Sequence, residues 1–248
     1  MRVNAMTDVG RVRTENQDNY RVGVLPHGAA WGIVCDGMGG GYDGSKASIV
    51  AVDAIGQLLM EKLDGDTAHD DIQELMVQAI RTANSEVYEQ SGRGKRVMGT
   101  TAVCAVLQDG VLHLAHVGDS RAYLFKGGGL TLLTRDHSVV QELLDKGTIT
   151  PAEVALHPEK NVITRALGVD SAVEIDYARH TLEGVGNLLL CTDGLTNMVP
   201  DDRLEKMMAH TDFYSLAKEL VSEALLCGGG DNVTVVLIEN EEVEKDAG

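Results

Sequence analysis

Residues 100–134 read TTAVCAVLQDGVLHLAHVGDSRAYLFKGGGLTLLT. Apolar residues run continuously or alternate over 100–108, 111–118, 121–125 and 130–134, and Asp109-Gly110 and Gly127-Gly128-Gly129 interrupt them. Short strands joined by Asp-Gly or Gly-Gly have the pattern of antiparallel hairpins, whose tight turns need left-handed backbone at their centre. The middle of the chain is therefore expected to form a β meander. Upstream the period changes. Ala47, Val50, Ala51, Ala54, Ile55, Leu58 and Leu59 recur at helical spacing and predict a helix over Ser45–Lys62. A second helix is predicted from about Asp71 to Glu89, antiparallel to the first, with the acidic loop LDGDTAHDD between them. Before these helices, WGIVC (Trp31–Cys35) predicts a buried strand stopped by a turn at Asp36-Gly37. Downstream come a short helix near Val139–Lys146, a helix start at Pro151, and strands in AVEIDYARHTL and NLLLCT. Helices over Asp201–His210 and Tyr214–Cys227 and a closing strand in DNVTVVLIE complete the pattern. Helices clustered at two points, with antiparallel strands between and after them, indicate an α+β fold: sheet packed on sheet, helices outside. Without internal repeats or a Pro/Ser-rich linker, one domain over 1–240 is expected, followed by an acidic mobile tail at 241–248.

The 248 residues carry 21 Lys+Arg against 38 Asp+Glu, a formal net charge of −17, with 44% hydrophobic residues. That composition suits a globular enzyme with a full core and excludes wholesale disorder. A surface so negative repels phosphate backbones and anionic lipid, so neither nucleic acid nor membrane is an expected partner. The first residues, MRVNAMTDVGRVRTENQD, contain no apolar signal segment, and a cytoplasmic location is expected. Cys35, Cys104, Cys191 and Cys227 are far apart and form no C-x-x-C pair, as for reduced, buried thiols.

Particular aspartates are placed more tellingly than the total charge. Asp36 follows WGIVC, Asp119 follows LHLAHVG, Asp193 follows NLLLCT, Asp231 precedes NVTVVLIE, and Asp18 precedes another β-like stretch. Any single Asp-Gly pair is more often a turn than a ligand. Repetition at strand ends changes the balance. Carboxylates gathered at one sheet edge repel one another unless a cation neutralises them. Oxygen donors without clustered His or Cys suit Mg²⁺ or Mn²⁺ and not zinc.

Seven ordered segments carry a resemblance: Arg13–Asp18 (RTENQD), Val34–Gly40 (VCDGMGG), Gly99–Thr101, His116–Arg121 (HVGDSR), Ile163–Gly168 (ITRALG), Thr192–Leu195 (TDGL) and Gly230–Thr234 (GDNVT). In this order and over about Thr7–Glu239, the chain resembles the PP2C (PPM) metal-dependent serine/threonine phosphatases, in particular bacterial stand-alone catalytic domains. The resemblance implies a central β-sandwich flanked by helix pairs and two Mn²⁺ or Mg²⁺ ions at one edge, with a possible third. It implies that Asp36, Asp193 and Asp231 hold the metals, that Gly37 lends its carbonyl, that Asp18 acts through water and that Asp119 serves the third ion. Arg13 would grip the substrate phosphate, and a metal-bridging hydroxide would attack phosphorus directly. Phosphorylated proteins and a cognate serine/threonine kinase are the implied partners, and a monomer the expected state. Met38 and Gly41 stand where many relatives carry a histidine proposed as general acid, and Gln17 replaces a glutamate found in some. Ser138–Asn161 corresponds to a variable flap beside the site.

Other readings compete. Gly39–Gly44 formally satisfies G-x-G-x-x-G after a strand, with Glu61 downstream, but the later β meander contradicts the βαβ alternation of dinucleotide-binding folds. Lys46 lies one position late for a phosphate-binding lysine loop. A phosphoprotein-binding module without strong catalysis and a small-molecule phosphohydrolase both stay open. His113 and His116 are expected to be ordinary strand residues, the Arg93, Lys95, Arg96 cluster a solvated loop, and His137 either a packing or a chemical residue.

Overall fold

A computed structural model of the chain describes residues 1–25, 28–40, 43–96, 98–154, 156–182 and 184–240. The tail reading at 241–248 and the Gly41 position lie outside the described residues. In chain order the strands are β1 (Arg2–Asp8), β2 (Asp18–Val24), β3 (Ala30–Gly39), β4 (Met98–Thr100), β5 (Ala102–Gln108), β6 (Val111–Val117), β7 (Arg121–Lys126), β8 (Gly129–Leu132), β9 (Asp176–Thr181), β10 (Gly186–Cys191) and β11 (Val233–Asn240). The helices are α1 (Asp43–Lys62), α2 (His69–Gln90), α3 (Val139–Asp145), α4 (Pro151–Val154), α5 (Asp193–Thr196), α6 (Asp201–His210) and α7 (Phe213–Leu226).

Two antiparallel sheets form, one in the order β1-β11-β10-β7-β8, the other β2-β3-β5-β6-β9 with β4 on the extension of β3. Strand alternation sends successive side chains to different cores, which is why these strands read as unbroken apolar runs. In β5, Val103, Ala105 and Leu107 pack between the sheets, while Ala102, Cys104 and Val106 pack against α1 and α2 with Ile55, Leu59, Met76 and Ile80. In β11, Val236 and Ile238 face the inter-sheet core and Val235 and Leu237 face α7 with Leu216 and Leu220. The layers are therefore helices, sheet, sheet, helices, the α+β sandwich the sequence predicts. Cys35, Cys104 and Cys191 are buried as expected, but Cys227, just past the end of α7, is exposed; all four are free thiols. Among the described residues, no helix is long and apolar enough to cross a membrane.

Two expectations about the strands change, and one strand is added. The central segment is not one meander: β5–β6 is a hairpin in one sheet, with Asp109 and Gly110 at φ 50° and 72°, and β7–β8 is a hairpin in the other. Gly118-Asp119-Ser120, between β6 and β7, is the crossing from sheet to sheet rather than a third hairpin turn. Gly118 sits at φ 105°, and a Cβ there would stand 2.5 Å from Thr101 Cγ2. Asp36-Gly37 is not a turn either. β3 continues to Gly39 because it exchanges its partner β5 for β4, with Gly37 opposite Thr100 and Gly39 opposite Met98. Finally, β1 is a strand whose polar alternation gave no signal; it is an edge strand half-exposed along its length, paired with β11 from Arg2 opposite Glu239 to Asp8 opposite Val233.

Candidate active site

The partner exchange in β3 leaves Asp36 at the end of the regular ladder. Its backbone is held by Thr101, whose hydroxyl accepts from the Asp36 N–H at 2.9 Å, while the Thr101 N–H donates to the Asp36 carbonyl at 2.9 Å. Asp18 opens β2 directly opposite Asp36. In the facing sheet, Asp193 is the first residue of α5 immediately after β10, and Asp231 precedes β11, the neighbour of β10. Asp119 lies in the crossing between the sheets. These five aspartates thus meet at one edge of the sandwich.

A cleft of about 240 Å³ opens there, lined by Arg13, Asp36, Gly37, Asp119, Asp193 and Asp231, with Met38, Thr101, Asn161 and Ile163 on its walls. Asp18 lies behind this lining, buried, with Oδ2 accepting from the Thr192 and Thr234 hydroxyls at 2.8 Å each. Its Oδ1 has no hydrogen-bond partner although it is fully enclosed. Gly37 is tightly seated: a Cβ there would stand 2.1 Å from the Gly44 carbonyl and 2.6 Å from that of Gln17. Arg13 Nη2 pairs with Asp231 Oδ2 at 2.7 Å, and the arginine side chain is 54% exposed.

Burial and mutual repulsion push the carboxyls up. Asp36 is raised well above the carboxylate range by burial first and then by Asp18 and Asp193. Burial lifts Asp18 to about 7 against the opposing pull of the two threonine hydroxyls. Asp119 reaches about 7 through burial, Asp193 and Asp136, and Asp193 is raised by burial and by Asp231. Such an edge is costly without a cation, and its charged donors are carboxylate oxygens, with no imidazole or thiol among the described cleft-lining residues. The orphan Asp18 Oδ1 suits a water-mediated contact. The residues present fit hard divalent ions.

Among the described residues, the three-ligand group whose ligating atoms all lie within 4.8 Å of one another is elsewhere: His116, His137 and Asp176.

The model for protein phosphatase 2C matches residues 10–227, a span that holds Arg13, Asp18, Asp36, Asp119 and Asp193 and ends just before Asp231. The chain belongs to the protein phosphatase 2C family. A serine/threonine phosphatase of Listeria monocytogenes is 38% identical to it over 242 residues, 96% of each chain. A crystal structure of the Mycobacterium tuberculosis serine/threonine phosphatase PstP/Ppp superposes with a TM-score of 0.87 at 34% identity, over 97% of this chain and 98% of that one. The PstP catalytic domain in complex with two manganese ions gives a TM-score of 0.83 at 34% identity, over 95% and 96% of the two chains. This chain is a serine/threonine protein phosphatase with the PP2C sandwich.

Several residues that shape this phosphatase's edge carried no role in the sequence. Asn232 accepts from the Gln17 N–H at 2.8 Å and donates its amide to the Val9 and Glu15 carbonyls at 2.9 Å, stapling the loop that bears Arg13 beside Asp231. Asn197 donates to Asp193 Oδ2 at 2.9 Å, one helical turn away. Its spacing, Asp followed four residues later by Asn at a helix start, is the signal that could have found it. His113 and His116 are buried side chains of β6, as expected of strand residues. In the Arg93, Lys95, Arg96 loop, Arg93 pairs with Glu89 and Arg96 with Asp43 at the surface.

Proposed function

We propose that this PP2C phosphatase hydrolyses phosphoserine and phosphothreonine in proteins at the carboxylate cleft. The observation that carries the reading is the convergence of Asp36, Asp119, Asp193 and Asp231 with Arg13 around one cleft, over the buried orphan oxygen of Asp18. Asp36, Asp193, Asp231 and the Gly37 carbonyl would hold two Mn²⁺ or Mg²⁺ ions, with Asp18 acting through water and Asp119 serving a third. When bound, these ions supply Lewis-acid charge neutralisation and an activated water at neutral pH.

The protein's own groups do the rest. Arg13 binds the substrate phosphate through its guanidinium fork, since its planar array of donors matches phosphate oxygens and stabilises charge that develops on them. Its pairing with Asp231 keeps it at the mouth of the cleft. Thr192 and Thr234 fix the orientation of Asp18, and Asn197 that of Asp193. Met38 lines the cleft and has no proton to give, and among the described lining residues no imidazole takes its place. Water in the cleft is the proton donor we assign to the departing alkoxide. Residues 138–161, which contain α3 and α4, bring Asn161 to the cleft wall and act as the flap that meets the protein substrate. In the cell, within a 1–240 catalytic domain working as a cytoplasmic monomer, the enzyme reverses a serine/threonine kinase.

Substrate class is tested by comparing turnover of a phosphothreonine peptide with that of a nucleoside monophosphate and a sugar phosphate, all with Mn²⁺. Preference for the peptide is expected. Preference for the small phosphates would point to a metabolite phosphohydrolase, and tight peptide binding without turnover to a binding module.

A further inference from the structure

The tightest cluster of potential ligands in the described structure, His116, His137 and Asp176, lies outside the cleft and has no part in the chemistry above. Its hydrogen bonds define what it is. The Gly118 backbone N–H donates to His137 Nδ1 at 3.0 Å. A backbone amide can only donate, so Nδ1 holds a lone pair and the proton of the neutral ring sits on Nε2. Nε2 stands 3.3 Å from Asp176 Oδ2, an electrostatic contact rather than a well-aligned hydrogen bond. Asp176 Oδ1 is taken by Arg165 Nη1 at 2.7 Å. His116 stacks on His137, with ring centroids 4.7 Å apart, and gives its Nε2 hydrogen to the Arg135 carbonyl at 3.0 Å. With one His137 nitrogen occupied by an amide, the other protonated, and the carboxylate already paired with a guanidinium, this donor set does not fit a cation.

It fits a clamp. The His137 backbone N–H also donates to the Gly118 carbonyl at 3.0 Å, so one residue holds both backbone polar groups of Gly118. Gly118 immediately precedes Asp119 and occupies a backbone region closed to other residues. The same residue reaches both ends of segment 138–161. Its carbonyl accepts from the Thr164 N–H at 2.8 Å, and the next residue, Ser138, forms an isolated bridge with Ile163 and caps α3.

We propose that His137 is a positioning residue, which through Gly118 sets the place of Asp119 and through Thr164 and Ser138 anchors both ends of the flap, its own orientation fixed by the Asp176–Arg165 pair. The carboxylate edge and the flap then share one anchor, and the weaker metal position is tuned from beneath the flap. This rests on the role given above to Asp119. Groups that orient ligands indirectly typically change metal affinity or activity by ~10- to 100-fold when removed.

The test uses the whole chain freed of metal and titrated with Mn²⁺, free Mn²⁺ being counted by electron paramagnetic resonance, alongside kcat and KM on a phosphothreonine peptide. Asp119→Ala defines the signature of a damaged weak site. His137→Leu is expected to reproduce it, weakening the lowest-affinity Mn²⁺ about tenfold and lowering kcat more than raising KM, with the tighter ions unaffected. His137→Asn, whose side-chain oxygen can replace Nδ1 as acceptor for the Gly118 amide, is expected to recover most of the loss. A folded His137→Leu with wild-type Mn²⁺ binding and kcat overturns the proposal, as does an Asn variant as impaired as the Leu one. If His137→Leu does not fold, Asp176→Asn takes its place: a shift in weak Mn²⁺ affinity in the same direction supports the clamp, and an unchanged titration overturns it. If Asp119→Ala itself leaves Mn²⁺ binding and turnover unchanged, the reading of Asp119 fails and the proposal falls with it. An impaired Asp119→Ala beside an unimpaired His137→Leu removes the proposal alone.

Discussion

Asp18 shows how much this edge depends on charge compensation. It is enclosed, its Oδ2 is shared by two threonine hydroxyls, and its other oxygen has no partner. In the metal-free protein its carboxyl and that of Asp119 lie at about 7, above the ordinary 3.8. The folded state therefore binds protons that the unfolded chain releases in this interval, so stability present at low pH is lost as pH rises from about 4 to about 7. With chelator present, the melting temperature is expected to fall between pH 5 and pH 7.5, and saturating Mn²⁺ should remove most of that fall. A chelated protein whose melting temperature rises over this range would contradict the account of the edge. Asp193→Asn removes one of the repelling carboxylates. It should raise the chelated melting temperature at pH 7.5 while lowering turnover by about 100-fold or more, the scale of losing an electrostatic stabiliser of a transition state. The importance of these aspartates is readable from their places beside strand ends. Their convergence is not, because nothing in the spacing from Asp36 to Asp231 says which strand ends share an edge; the ordered family motifs supply it. The His137 clamp is invisible for the same reason, since His137, Gly118, Asp176 and Arg165 come from separate stretches.

At the scale of elements, the helices are the most legible part. α1 and α2 bury the residues their three- and four-residue spacing selects, such as Ile55, Leu59, Ile72, Met76 and Ile80. The strands are legible as apolar runs, but their partners are not. Continuous runs report burial on both faces and say nothing about which sheet a strand joins, so the β6–β7 crossing reads like one more hairpin. Asp36-Gly37 reads as a turn because the exchange from β5 to β4 is a tertiary event. Gly37→Ala tests that joint. Its Cβ would meet the Gly44 and Gln17 carbonyls at 2.1 and 2.6 Å, so α1 must move from β3. A loss of about 1–3 kcal/mol in urea unfolding is expected, with weakened Mn²⁺ binding. Asp212 is the matching control far from the chemistry: it caps α7 by accepting from the Tyr214 and Ser215 N–H groups. Asp212→Ala should lower the urea unfolding midpoint and leave kcat unchanged.

Across the whole molecule, the sandwich places the ends of β2, β3, β10 and β11 at one edge and encloses the sheets between helix pairs, so a rigid scaffold presents the acidic cleft. The net charge of −17 repels polyanions in general, and of that charge the proposed chemistry draws on the aspartates of the edge. The central claim is that this edge works with divalent cations. It is tested most directly by following phosphate release from a phosphothreonine peptide by the wild-type chain with Mn²⁺, with chelator, and with chelator followed by excess Mn²⁺. The account predicts turnover in the first, none in the second and recovery in the third; turnover that persists undiminished in chelator would contradict it.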